Sequence, residues 1–259
     1  MTTEATEPST DGRYVYCIIG SEQPRQFKTK GIGERGDAVY TMHYRDLAAV
    51  VSDSPVREYE RTRHNMMAHT LVLEEAIQEL AILPVRFGTV APRAEDIPEK
   101  LLERRFAEMH ALLDDMEGNV ELGLKALWHE RAIFDEIIEE NGDIQKLRDT
   151  LINRPAAETY FERIRLGQMI EIAMAQKREE DGDRILSALR PMALRTRTNK
   201  TFTDRMILNA AFLVDKQREK EFDEAIHKLD EEMGQKVIFK YVGPVPPYNF
   251  VDIVVNWDG

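Results

Sequence analysis

At Gly118 the hydrophobic period of this chain changes. Before it, Leu102, Phe106, Met109, Leu113 and Met116 recur at alternating steps of four and three, the spacing of one buried helix face. After it, Val120, Leu122, Leu124, Ala126 and Trp128 alternate with Glu121, Gly123, Lys125 and Leu127, the period of a half-buried strand. A glycine between the two patterns suits a left-handed helix cap, and the strand beyond it opens a second folding unit. The 259 residues suffice for two modest cores without disulfide or metal staples.

The first unit reads as strands, then helix. Residues 1–12 (MTTEATEPSTDG) carry almost nothing apolar, which predicts a loose tail and not a signal peptide. Tyr14 to Ile19, Ala38 to Tyr44 and Leu47 to Val51 are rich in β-branched and aromatic residues and read as three strands. A helix follows over Thr62 to Leu80, with Met67, Leu71, Leu73, Ile77 and Leu80 taken as its inner face. Leu83 to Val90 (LPVRFGTV) reads as a fourth strand with Arg86 on the outer side. Asp96 and Glu99 around Pro98 predict a capping box that starts the helix ending at Gly118.

The second unit opens with the strand at 119–128. Helices are predicted at His129 to Glu140, Asp143 to Leu151 and Ala157 to Glu180, the last closed by Asp181-Gly182, then a short helix to Arg190-Pro191. Met192 to Thr198 and Met206 to Asp215 read as a strand pair, Lys216 to Met233 as an amphipathic helix and Val237 to Tyr241 as a last strand. The order β, helices, β, β, α, β is that of a split βαβ, ferredoxin-like domain with an enlarged first crossover. The fold class is therefore α+β in two domains: an N-terminal α/β domain with a small mixed sheet at 13–118, and the ferredoxin-like domain with its helical arm at 119–240. An extended Pro-rich tail at 241–259 docks on the N-terminal domain.

Charge and cysteine content narrow the function. With 35 basic and 47 acidic residues the net charge is −12, which repels polyphosphate and anionic lipid and argues against nucleic acid and membrane surfaces as partners. No apolar stretch approaches the roughly 18 residues that span a bilayer. The single Cys17 lies in the apolar run YVYCII and reads as a buried thiol in a reducing compartment, so the protein is expected in the cytoplasm.

No motif carries catalysis. Gly31-x-Gly33-x-x-Gly36 spells a dinucleotide fingerprint, but polar QFKTK precedes it and strand-like AVYTMHY follows, so no helix N-terminus is available for a pyrophosphate and the segment reads as a loop. His64 and His69 are five residues apart, about 140° around a helix, and do not form a zinc-binding face. A metal- or ligand-dependent site assembled in space from His64, His69 and Arg86, with His43 or Glu74 nearby, is the alternative to a non-catalytic protein. The basic stretch Arg190, Arg195, Arg197 and Lys200 lacks interleaved aromatics and reads as a solvated strand face. Met66, Met67, Met169 and Met174 serve either as core filling or as an adaptable surface for an apolar partner. No cofactor, metal or small-molecule substrate is expected.

The segment YVGPVPPYNFV, Tyr241 to Val251, has an extended path imposed by Pro244, Pro246 and Pro247, with Tyr241, Tyr248 and Phe250 projecting from it. Docking of these aromatics on the body is preferred over an exposed recognition strip. Together with YVYCIIG, DLAAVVSD, RHNMMAH, LEEAI, LPVRFGTV and NAAFLVD, this segment resembles the GvpF/GvpL family of gas vesicle proteins across nearly the whole chain after the first dozen residues. One departure is Val245, where the family often has Trp.

The resemblance implies an accessory or minor structural protein of gas vesicles. Its partner would be the hydrophobic shell protein GvpA, whose aggregation it would limit and whose nucleation into vesicles it would assist, together with other gas vesicle proteins. It also implies a two-domain α/β fold with a ferredoxin-like C-terminal domain, and no catalytic residues. The positions that carry the motifs are Leu83, Pro84, Arg86, Phe87, Gly88, Asn209, Phe212, Gly243, Pro244, Pro246, Pro247, Tyr248 and Phe250.

Overall fold

In the computed structural model, which describes residues 11–257, the apolar run YVYCII forms the spine of a sheet. Strand β1 (Gly12–Gly20) is flanked on one side by β4 (Leu47–Ser54) and on the other by β5 (Ile82–Pro84) and β6 (Val90–Ala91). With β2 (Gln26–Lys30) and β3 (Ala38–Tyr44) the order is β2-β3-β4-β1-β5, β6 pairing with β1. Tyr14 to Ile19 are fully buried, as a central strand covered on both faces requires. A register shift between Val15 and Cys17 bends the alternation, so Tyr14 before it, Tyr16 within it, and Cys17 and Ile19 after it join one core cluster. The tail expected at 1–12 lies, up to residue 10, outside the described residues; the Asp11 carboxylate takes a hydrogen bond of 2.6 Å from Arg35, and Gly12 opens β1.

Four strands, not three, precede the first helix. β2 escapes a reading by pattern because it is a polar edge strand between Pro24 and Gly31. Its irregular pairing with β3 leaves the Lys28 and Thr29 amides without ladder acceptors, and both donate to the Glu75 carboxylate, at 2.8 and 2.9 Å. Helix α1 (Arg63–Ile77) starts where expected, with the Thr62 hydroxyl accepting from the Asn65 amide, but presents a different face. His69, Val72, Leu73 and Ala76 are buried, whereas Met67 is 53% and Leu71 46% exposed. Apolar residues surround this helix, so hydrophobicity alone does not orient it; the buried Tyr14 hydroxyl, which bonds to His69, favours the observed rotation.

LPVRFGTV is not one strand. β5 ends at Pro84, and the chain turns at Gly88, whose φ of 87° is left-handed, before β6 returns to β1. The helix ending at Gly118 is also interrupted: a π-helical turn (Ile97–Glu103) precedes α2 (Phe106–Met116). The expected capping box does not form, because the buried Asp96 carboxylate is engaged by Arg93 at 2.8 Å and Lys100 at 3.2 Å. Gly118 has the left-handed φ of 73° that its position after the helix calls for.

The described residues up to Glu121, with those from Pro244 onward, form one compact unit; Leu122 to Gly243 form the other. The second contains most of β7 (Asn119–Trp128), then α3 (Glu130–Glu140), α4 (Gly142–Leu151), α5 (Tyr160–Leu189), β8 (Arg195–Thr198), β9 (Met206–Asp215), α6 (Glu219–Met233) and most of β10 (Val237–Val245). Its sheet runs β10-β7-β9-β8, with β8 and β9 antiparallel.

Helix α5 does not stop at Asp181-Gly182. It continues to Leu189, absorbing the short helix expected after it. Asp181 is buried and accepts from Trp128 Nε1 at 2.7 Å and Lys236 Nζ at 2.8 Å, and a Cβ on Gly182 would lie 3.9 Å from Ile207, so the pair serves helix-to-sheet packing. Residues 190–192 form a 3-10 turn around Pro191, leaving a shorter β8, and β10 runs past Tyr241 into the proline segment.

Candidate docking groove

The core of the first unit is wired around two tyrosines. The Tyr16 hydroxyl accepts from the Ile32 amide at 2.7 Å and shares a hydrogen bond with Ser52 Oγ at 2.9 Å. This explains the glycine-rich segment: a Cβ on Gly31 would sit 2.6 Å from Ser52 Oγ, so Gly31 permits a close approach and cradles no phosphate. The Tyr14 hydroxyl accepts from the Gly88 amide at 2.9 Å and lies 3.0 Å from His69 Nδ1. With the Gly88 N–H already donating to that oxygen, the Tyr14 proton goes to Nδ1, which fixes His69 as the neutral tautomer protonated at Nε2. Burial agrees, holding the imidazole down at about 4, well below its usual value, and pushing the Tyr16 phenol up to about 12.

His69 forms part of the wall of a groove of about 350 Å³. The first turns of α1 supply Met66 and Thr70, the exit from β5 supplies Pro84 to Phe87, and the C-terminal segment supplies Tyr248, Val251 and Asp252, with Arg61 at the rim. Met66 is 39% and Tyr248 46% exposed, so the groove offers soft apolar surface beside an aromatic hydroxyl. Depressions of about 570 Å³ along β2 and α1 and about 640 Å³ beside α5 are larger, but neither gathers residues of the two long motifs.

The C-terminal wall is held by specific bonds. The Arg86 amide donates to Ile253 O at 3.1 Å, Val85 and Ile253 form a parallel bridge, and the Arg86 guanidinium pairs with Asp252 at 3.0 Å. Lys100 and Arg105 donate to the carbonyls of Trp257 and Val254, each at 2.9 Å. Glu121, only 2% exposed, accepts from the Asn249 amide at 2.9 Å and from its side chain at 2.6 Å. A hydrogen bond to a buried charge contributes roughly 1.5–3 kcal/mol. Asn249→Ala keeps the backbone bond and loses the other, so a loss of about 1–2 kcal/mol in urea unfolding, with faster proteolysis of the C-terminal segment, is the expected outcome.

Residues 12–252 match the family model for gas vesicle synthesis protein GvpL/GvpF. The chain belongs to the GvpL/GvpF family. It is 33% identical to gas vesicle protein F of a Streptomyces species, over 92% of this chain and 99% of that one. The crystal structure of GvpF from an Anabaena species superposes with a TM-score of 0.81 at 25% identity, over 95% of this chain and 100% of that one. GvpF from Microcystis aeruginosa, 24% identical, gives 0.75 over 92% and 98% and shows the same mixed α+β fold.

Within this GvpL/GvpF chain the motif residues separate into groups. Pro84, Arg86, Phe87 and Tyr248 meet at the groove; Leu83 is buried in β5 beside them, Gly88 makes the turn that bonds Tyr14, and Pro246, Pro247 and Phe250 shape the turn that carries Tyr248. Gly243 and Pro244 lie at the end of β10. Asn209 and Phe212 are in β9: the first donates to Lys200 O at 3.1 Å, and the second is buried against Phe222 with ring centroids 5.1 Å apart. His69 and Arg86 share the groove but His64, in the first turn of α1, does not line it. Among the described residues no group of three or more His, Cys, Asp and Glu side chains could hold a metal ion, and no helix is long and apolar enough to cross a membrane. Met174 is buried and Met169 half-buried, while Arg195 and Arg197 are exposed on the edge strand β8. Reading the sequence missed Glu121, which the alternation placed in solvent, and Arg61, which no pattern marked.

Proposed function

We propose that this chain is a gas vesicle accessory protein that binds the shell protein GvpA, limits its aggregation and assists vesicle nucleation, without catalysing a reaction. The observation that carries the reading is the meeting of two distant motifs, LPVRFG and PPYNFV, in one groove beside the exposed Met66 of α1. Phe87 and Tyr248 line the groove with Met66 and supply its aromatic surface. A non-obligate client needs such a ledge, and a chain of net charge −12 keeps the complex in solution.

The two units are read as an N-terminal α/β domain at 13–118 and a ferredoxin-like domain at 119–240, with a tail at 241–259 that docks on the first. The sheet order β10-β7-β9-β8 supports the ferredoxin-like assignment, α3, α4 and α5 enlarging the first crossover. The motif residues at the groove touch the client, and Leu83, Asn209 and Phe212 hold the scaffold. The protein works in the cytoplasm, at the growing gas vesicle.

Co-expression with GvpA from the same organism tests this. Affinity-purified chain is expected to carry GvpA with it and to reduce light scattering from GvpA, and Met66→Asp is expected to weaken both at unchanged melting temperature. Absence of GvpA from the purified material, with vesicles forming normally in a deletion strain, would end the proposal.

A further inference from the structure

The charge around the groove specifies the kind of segment it takes. Arg61 stands exposed at the rim with no ion pair or hydrogen bond among the described residues. In the same lining Arg86 is answered by Asp252 at 3.0 Å. Two guanidinium groups against one carboxylate leave one uncompensated positive charge in the lining of a chain whose net charge is −12. On a chain whose net charge is negative, a lining with one excess positive charge favours an acidic group over a basic one.

The rest of the lining is apolar or neutral. Met66, Phe87, Tyr248 and Val251 offer hydrocarbon and ring surface. His69 has its Nδ1 occupied by Tyr14, so the donor it retains is Nε2–H. The volume of about 350 Å³ is near the lower end of the roughly 300–1,000 Å³ of ligand pockets, room for one or two side chains and too little for an extended cofactor.

From this we infer that the groove holds an acidic, apolar segment of a partner protein, with one aliphatic or aromatic side chain between Met66 and Tyr248 and a neighbouring carboxylate on Arg61. The inference deepens the proposed function and rests on it only for the partner's identity. Aliphatic insertion supplies affinity, and the Arg61 contact selects acidic over basic segments by charge.

Full-length chain carrying ¹³C-methyl methionine tests it, titrated with three synthetic amphipathic peptides: one of leucine and glutamate, one with lysine for each glutamate, and one with serine for each leucine. The Leu/Glu peptide is expected to move the Met66 methyl signal, and the other two to bind at least about tenfold more weakly, a factor equal to ~1.4 kcal/mol. Arg61→Glu, at an exposed site where folding is expected to be unaffected by circular dichroism, should invert the preference toward the Leu/Lys peptide. Equal binding of the acidic and basic peptides, an unmoved Met66 methyl, or no change on Arg61→Glu overturns the inference. So does a dimer, or binding to phosphatidylglycerol vesicles, that accounts for the Met66 shift in place of peptide. GvpA capture is measured in parallel. Peptide selectivity without GvpA capture leaves the groove chemistry standing and removes the client assignment, whereas GvpA capture indifferent to Arg61→Glu does the reverse.

Discussion

Asp181→Ala is expected to destabilise the second unit by about 3–5 kcal/mol, the cost of removing one member of a buried ion pair. Asp181 is the acceptor for the indole of the fully buried Trp128 and for Lys236, at 2.7 and 2.8 Å. Lys236 in turn meets Glu136 at 2.7 Å, and Glu136 meets Lys177 at 2.9 Å, so charges alternate in sign through α3, α5 and the residue just before β10. Burial alone would raise Glu136, yet hydrogen bonds from Lys236 and Lys177 hold it below the usual carboxylate range. Removing Asp181 strands the indole N–H and unbalances the cluster together. Asp181→Asn keeps an acceptor for Trp128 and loses only charge, so it should cost about half as much. Arg184→Ala breaks a pair of 2.9 Å between half-exposed groups and should cost less than about 1 kcal/mol. Urea unfolding followed by tryptophan fluorescence separates the three; an Asp181→Ala loss no larger than that of Arg184→Ala would show that the cluster contributes little.

The same aspartate marks where the sequence misleads. Asp-Gly is a common turn and helix-end signal, and only the position of Trp128 and Lys236 in the folded chain shows why an acid belongs inside α5, about two turns before its end. Elements with strong local periodicity were legible: β1 from its unbroken apolar run, β7 from its alternation, β9 and α6 nearly to the residue. Elements defined by what they lie against were not. β2 is polar because it is an edge, and its bulge is completed by Glu75 from α1, 46 and 47 residues away. The rotation of α1 followed a hydrogen bond to a histidine that any hydrophobicity scale places outside.

The groove was half legible. Its motif residues came from a resemblance and Met66 from composition, but Glu121 reads as a solvent position in an alternating strand. Its partner Asn249 lies 128 residues away, beyond the reach of a local pattern. Arg61 carries no signal either, since an unpaired surface arginine becomes informative only when the lining around it is known.

Between pH 7 and pH 5 the chain is expected to lose about 2 kcal/mol of stability through His69 alone. In the folded state burial holds the imidazole down at about 4, against 6.5 for an ordinary histidine. Across that window the unfolded chain binds a proton that the folded chain does not, so stability rises with pH and falls as pH drops below about 6.5. The loss levels off near the folded value of about 4. Burial is the cause: Tyr14 donates to Nδ1, and the rings of Tyr16 and Phe87, each 5.6 Å away by centroid, close round the imidazole and keep water from it. His69→Gln supplies a neutral acceptor for the Tyr14 hydroxyl and cannot take up a proton. The two proteins differ at this residue alone, so the difference between their stability-versus-pH curves isolates it. Parallel curves from pH 7 to 5 would mean that the ring is reached by protons in the folded state, and that the Tyr14 to His69 bond does not close the groove's inner wall.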